Sequence, residues 1–370
     1  MRIFFIMLSF VFFSCGSLRL SQPMTGAASG WPMFGQNSSH MSMSNSVSTG
    51  LEKIWDYDVS AGFGDFSPTI ANGVVFIGTL KGEVYSFNVK TGDKEGSKSF
   101  GGAIFSSPVI YDSLMIVASS RSSENLFAYD LHSGKKVWSK KIADVESPPT
   151  MYDSSLYVAT VGGDLYRFNP VTGVTLFHEH FPAPLRASPA VDKSLCVVGC
   201  DDGNLYGMSS ADGKQLWKYD AGSPVWCSAS MNDSLIFVGT NAGKLLVLRK
   251  NGTLAFDFTT GEKILSMPIS DDRRIYFGCN DGNFYAISVV NGALLWKIHT
   301  DAPIIASASQ TKSQVFFGSF DENLYVVDKS NGKVDQKIDL AGRVRTSPAI
   351  YEDYLVVCAE NSSVFGFKIK

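Results

Sequence analysis

The sequence predicts an all-β fold: an eight-bladed β-propeller of four-stranded antiparallel blades, with the last blade closed by the N-terminal strand. Three observations predict it. A short start signal recurs at Pro68, Pro108, Pro149, Pro189, Ala229, Pro268, Ala308 and Pro348, at successive intervals of 40, 41, 40, 40, 39, 40 and 40 residues. Each interval repeats one internal order of apolar runs and polar turns. The two ends of the chain supply complementary parts of a single unit.

A fixed period over almost the whole chain is the mark of a repeat architecture. After each start comes a β-rich apolar run, as in Val74-Val75-Phe76-Ile77-Gly78 and Leu235-Ile236-Phe237-Val238-Gly239. A polar turn follows, as in Asp201-Asp202-Gly203-Asn204 and Asn280-Asp281-Gly282-Asn283, where Gly and Asn tolerate the positive φ of tight hairpins. An aromatic-rich strand such as Leu205-Tyr206-Gly207-Met208 comes next, then a Gly-containing turn and an outer strand that often carries Trp. Four short strands cannot bury both of their faces alone, so such units must stack. A ring of eight buries every sheet and leaves no long edge. The 370 residues would suit two average domains, but closed all-β architectures run this long as one unit. Composition agrees: 12% aromatic, 18% charged and 34 glycines suit short strands joined by tight turns.

The termini predict closure. The unit starting at Pro348 has room for only three strands and ends in Val364-Phe365-Gly366-Phe367-Lys368. Residues 51–59, Leu51-Glu52-Lys53-Ile54-Trp55-Asp56-Tyr57-Asp58-Val59, read as an outer strand with no unit of its own. Trp55 is therefore expected beside the C-terminal strands.

Ahead of the repeats, Arg2 and the apolar run from Ile3 to Phe13 read as a targeting segment too short to span a bilayer. Residues 1–15 are thus expected to be a signal peptide with a lipobox-like end at Ser14-Cys15, making Cys15 the lipidation site and the protein an exported one. An ordinary secretory signal, with Cys15 incidental, is the alternative, because Phe13 stands where a small residue is usual. Residues 16–30 read as a flexible tether, and 31–370 as the propeller. Cys196, Cys200, Cys227, Cys279 and Cys358 show no Cys-x-x-Cys spacing and no adjacent pair, so neither a zinc site nor a disulfide framework is expected. They read as small core residues. The net charge of −3 speaks against nucleic acid and against an anionic membrane surface as partner.

Ala128-Tyr129-Asp130-Leu131-His132-Ser133-Gly134-Lys135-Lys136-Val137-Trp138 resembles the tryptophan-docking motif of PQQ-like repeat propellers, with weaker copies ending at Trp217 and Trp296 and with Phe177 in the place of another Trp. The unit containing Lys250-Asn251-Gly252 and the one ending Val334-Asp335 lack the pattern. The opening Trp31-Pro32-Met33-Phe34 is also similar to that group, and the resemblance spans residues 31 to 370. It implies that Trp55, Trp138, Trp217 and Trp296 pack between neighbouring blades. It also implies two functional branches, the quinoprotein dehydrogenases, which bind PQQ and calcium, and the BamB-like scaffold lipoproteins of outer-membrane β-barrel assembly.

The enzyme branch finds little support in the residues. No insertion breaks the spacing to build an active-site cap, the cysteines are not adjacent, and no Gly-x-Ser-x-Gly, P-loop or His-Glu-x-x-His is present. No cofactor is expected on this reading; PQQ with calcium belongs to the runner-up. His178 and His180 would share one face of an outer strand, which makes a surface metal conceivable, though solvated histidines suit that position better. The expected role is a monomeric, non-enzymatic scaffold, lipid-anchored on the periplasmic side of the outer membrane, that binds a protein partner, with the barrel-assembly machinery implied by the resemblance.

Residues at equal offsets stand at equal heights around a propeller axis. Three before each start lie Asp65, Phe105, Glu146, Arg186, Trp226, Leu265, Ile305 and Arg345. Arg345 should neighbour Asp65 across the closure, and Glu146 should neighbour Arg186, beside an apolar arc of Trp226, Leu265 and Ile305. Such an arc next to charges suits a protein-binding patch; residues that pair with one another and cap the core are the alternative. In BamB-like scaffolds a Leu and Arg in one interblade loop, and acids in the next, meet the barrel-assembly protein. Leu185-Arg186 matches the first with a slight shift, while Ser223-Pro224-Val225-Trp226 has no acid.

Overall fold

The computed structural model describes residues 18–20, 30–120 and 122–370. Eight antiparallel sheets follow one another along the chain, and no α-helix occurs among the described residues. In the first blade the strands are Thr69–Ala71, Val74–Gly78, Glu83–Asn88 and Lys94–Ser99, paired in chain order from the axis outward. The same order recurs in the next six blades.

The ring closes as the sequence predicts. Leu51–Asp58 is the outer strand of the sheet formed by Ala349–Tyr351, Tyr354–Ala359 and Ser363–Ile369. Its register runs from Leu51 opposite Ile369 to Asp58 opposite Ser363. Trp55 lies opposite Gly366, where a Cβ would stand 2.0 Å from the indole. A residue without a side chain is required there.

Each docking aromatic packs on a glycine in the next blade's outer turn. A Cβ at Gly92, Gly173, Gly252 or Gly332 would lie 2.6–2.8 Å from Trp55, Trp138, Trp217 or Trp296 respectively. These glycines also hold φ between +70° and +82°, which side-chain-bearing residues rarely adopt. The four indole N–H groups donate to Val89 O, Pro170 O, Lys250 O and Lys329 O at 2.8–3.2 Å. Phe177 fills the same role against Gly213.

Two units whose pattern is absent from the sequence are docked all the same. Phe256 packs on Gly292 in the fifth blade. In the seventh, Gln336 packs on Gly50, accepts from Leu51 N at 2.7 Å and donates to Leu51 O. The first blade has Gly96 opposite Ser86, where its neighbours carry the aromatic. Its gap is filled from elsewhere in the chain: Arg19 lies against Gly134, Leu18 is fully buried beside Tyr129 and Leu131, and Leu20 N–H donates to Leu131 O at 2.9 Å. Leu131 O is the counterpart of the carbonyls that receive the indole N–H groups. Within the expected tether, residues 18–20 are therefore docked rather than free, because they complete a blade contact that the repeat leaves open. Cys15 and the signal segment lie outside the described residues.

Innermost strands are tied across blades by hydroxyls. Ser107 and Ser188 donate to Ser67 O and Pro148 O at 2.6 and 2.7 Å, while Ser228, Ser307 and Ser347 accept the N–H groups of Ser188, Met267 and Ser307. Cys196, Cys200, Cys227, Cys279 and Cys358 are free and buried, as the spacing predicts. Burial pushes the Cys227 thiol up to about 12 and those of Cys200 and Cys279 to about 11, so they stay protonated and unreactive at neutral pH.

Candidate functional site

The segment entering each blade alternates in and out, as extended chain must. Four residues before the start stand Ile104, Val145, Leu185, Val225, Ile264, Ile304 and Val344, all 0–1% exposed. Ile104, Val225, Ile264, Ile304 and Val344 close on Gly78, Gly199, Gly239, Gly278 and Gly318 of the preceding blades. The next residue must then point the other way, into the channel mouth. All eight residues of the predicted ring line one cavity of about 360 Å³ there.

The cavity is blind. Beneath the ring, the leader after Gly30 binds the free inner edges of the blades. Trp31 pairs with Ile70, and the N–H groups of Ile110, Val191, Met231 and Gln310 donate to Pro32, Ser38, Ser39 and Ser42 carbonyls at 2.7–3.0 Å. These donors each stand two residues after their start, so the leader caps an otherwise unpaired strand edge in turn. Phe34, 3% exposed, packs edge-on against Phe66 at 5.0 Å and floors the cavity. Behind it His40 is wholly buried, its Nδ1 2.8 Å from Ala229 O. Burial lowers its pKa to about 4 against the smaller upward pull of that carbonyl.

Two ion-pair clusters sit on opposite sides of the mouth. Arg186 meets Glu146 at 2.8 Å and Asp201 at 3.0 Å, with its guanidinium 5.9 Å from the centre of the Trp226 ring. Arg345 meets Asp65 at 2.6 Å and Glu360 at 2.9 Å, and lies 5.6 Å from the Phe320 ring. Burial raises the Asp65 pKa although Arg345 opposes the shift. Burial works against the Arg186 charge, but Asp201 and Glu146 outweigh it and raise its pKa. Between the clusters runs the apolar arc, with Trp226 41% exposed and Leu265 and Ile305 half-buried. The lining holds no histidine or cysteine, and the Ser228 and Ser307 hydroxyls are engaged by backbone N–H groups. No nucleophile with an adjacent base is assembled there.

A family model, described as outer membrane protein assembly factor BamB, matches residues 46–148, 122–231 and 221–366, well over half of the chain. The chain belongs to the BamB family. Solved structures resemble this BamB-family propeller in fold. BamB from Moraxella catarrhalis aligns with a TM-score of 0.74 at 16% identity, covering 86% of this chain and 100% of that one. A europium-containing methanol dehydrogenase aligns at 0.76 and 13%, covering 92% and 98%. The quinohemoprotein alcohol dehydrogenase from Comamonas testosteroni aligns at 0.78 and 12%, covering 92% and 80%. No curated protein matches in sequence.

Burial corrects one expected contact residue. Leu185 is 1% exposed and packs with Phe181, Val191 and Tyr206; it is the fourth blade's member of the buried ring and offers no surface to a partner. Arg186 next to it does reach the mouth. Sequence reasoning missed Asp201 and Glu360, although each stands twelve residues after Pro189 or Pro348, the starts that Arg186 and Arg345 precede. That shared offset was the available signal. His178 Nε2 and His180 Nδ1 converge on Asp164 Oδ1 at 2.8 and 2.9 Å, at the outer rim. Among the described residues, no group of three or more His, Cys, Asp or Glu is arranged to hold a metal ion.

Proposed function

We propose that the chain is a non-enzymatic scaffold, held by a lipid on Cys15 at the periplasmic side of the outer membrane, that binds a protein partner through the channel mouth in β-barrel assembly. The observation that carries this reading is the convergence of eight equivalent residues on one blind funnel, with an exposed Trp226 and apolar wall flanked by paired charges. An apolar anchor residue from a partner loop would seat in the funnel, while Arg186 and Arg345, each held by two carboxylates, fix orientation. Family membership supports the assembly role, and the lipobox-like Ser14-Cys15 supports the anchor. The test is capture from membranes by the full chain and by its Arg186→Glu, Trp226→Ala double variant. The wild type is expected to retain the barrel-assembly protein and the variant to lose it. Equal recovery would refute the mouth as the binding face.

The dehydrogenase-like fold neighbours favour a second reading, a propeller that binds PQQ and calcium. The lining fits that group poorly. PQQ is a multiply charged carboxylate, and both arginines in the funnel already answer carboxylates of this chain. A saturable absorption or melting shift on adding PQQ and calcium would favour this second reading.

A further inference from the structure

We infer that the outer edge of the second blade is a membrane-facing surface that meets anionic lipid headgroups. The inference rests on the anchor at Cys15 proposed above, and its own support is the place where the N-terminal segment docks. Leu18 is fully buried among residues of the first and second blades, and Arg19 beside it lies against Gly134, the glycine that an aromatic in place of Gly96 would have met. Only Gly16 and Ser17 separate Leu18 from Cys15, and the three Cα–Cα steps between them span at most about 11 Å. A lipid on Cys15 would therefore hold this edge, and no other, against the bilayer.

The charge of that edge is complementary. Residues 131–141 contain Lys135, Lys136, Lys140 and Lys141 and no acid, and the exposed Arg19 lies against Gly134 in the same turn. Glu124, which pairs with Lys136 at 2.7 Å, and Asp130 are the carboxylates at its margin. The corresponding stretches of the first and seventh blades are less cationic: residues 89–100 and 329–340 each set three lysines against two acids. Val137, 47% exposed, stands among the cations. The overall charge of −3 concealed this cluster because acids on other blades cancel it. Basic residues near a bilayer add to a lipid anchor by attracting anionic headgroups. The edge also suits the proposed function. Leu80, in the turn between the second and third strands, lines the mouth, so the turn holding Leu131 and Gly134, one strand further on, lies on the opposite face. Anchoring there leaves the funnel open to a partner.

The test uses the full chain, processed in its expression host and reconstituted into phosphatidylglycerol-containing or purely phosphatidylcholine vesicles. A fluorophore is placed by His132→Cys on the second blade or Val290→Cys on the sixth, since the cysteines among the described residues are buried and Cys15 carries the lipid, and quenched by headgroup-labelled lipid. With phosphatidylglycerol, at least threefold stronger quenching is expected at 132 than at 290. Leu18→Asp, or Lys135→Glu with Lys140→Glu, should reduce that contrast at least twofold while the chain stays on the vesicles. Equal quenching at both sites in a vesicle-bound chain overturns the inference and leaves the anchor standing. A chain that fails to float with either vesicle overturns the anchor itself and this inference with it.

Discussion

Replacing Trp55 by Ala should open the ring more readily than any change at the mouth. Trp55 is 8% exposed, donates to Val89 O at 2.9 Å and packs on Gly92 and Gly366, so it joins the N-terminal strand, the C-terminal strands and the first blade. Truncating a buried Trp costs about 3–5 kcal/mol, and leaving Val89 O without its donor adds about 1 kcal/mol. The expected total is about 4–6 kcal/mol, a large share of the roughly 5–15 kcal/mol that holds most domains. With a urea slope of about 3 kcal/mol/M, the midpoint should fall by more than 1 M. Gly92→Ala approaches the same contact from the other side. Its Cβ would sit 2.7 Å from the indole, at φ +75°, and a loss of about 2 kcal/mol is expected from overpacking and strain together. Trp226→Ala, at a half-exposed mouth position, is the control and should stay within about 0.5 kcal/mol. Urea unfolding followed by circular dichroism decides the matter. A Trp55→Ala midpoint indistinguishable from that of Trp226→Ala would refute closure through this residue.

Two further outcomes follow from buried titratable groups. His40 is neutral in the fold with its pKa lowered to about 4, against 6.5 in the unfolded chain. The unfolded state therefore binds the extra proton between those values, and stability present above pH 6.5 is lost as pH falls toward 4, by about 3 kcal/mol. Thermal unfolding of His40→Gln between pH 7 and 4.5 should show a flatter profile than the wild type; parallel profiles would count against it. Lys329, 5% exposed, meets Asp271 at 2.9 Å and Gln310 Oε1 at 2.8 Å. Lys329→Met should cost about 3 kcal/mol because it removes the near cation of the Asp271 carboxylate, leaving it the Tyr276 hydroxyl, two backbone N–H groups and Arg274 at 3.9 Å. Adding Asp271→Asn should restore at least half of that in a double-mutant cycle, and strict additivity would show the pair to be uncoupled.

The fold and the mouth were legible because a constant period converts sequence offset into position around an axis. Asp65 beside Arg345 and Glu146 beside Arg186 needed no more than that, and both became ion pairs. Leu185 was misplaced because it came from resemblance; alternation along extended chain would have put it inward once Arg186 was placed outward. Phe256 and Gln336 were hidden because the docking contact needs a flat side chain against a glycine, and the turn residues around it are free to vary. The docking of residues 18–20 was illegible for a different reason: Leu131 and Gly134, which they meet, lie more than a hundred residues away, and no repeat relates them.

The N-terminal region is used three times, and this sets the order in which the molecule can form. Residues 18–20 complete the first blade's contact, the leader after Gly30 caps the inner strand edges, and Leu51–Asp58 closes the eighth blade. The middle blades contact mainly their neighbours and can stack as repeats do. The closing sheet instead joins residues more than 300 positions apart, as in Leu51 opposite Ile369, and pairings so distant in sequence form slowly. Until they form, the first and last blades expose a face. The mouth, which takes residues from every blade, is therefore complete only when the ring is closed.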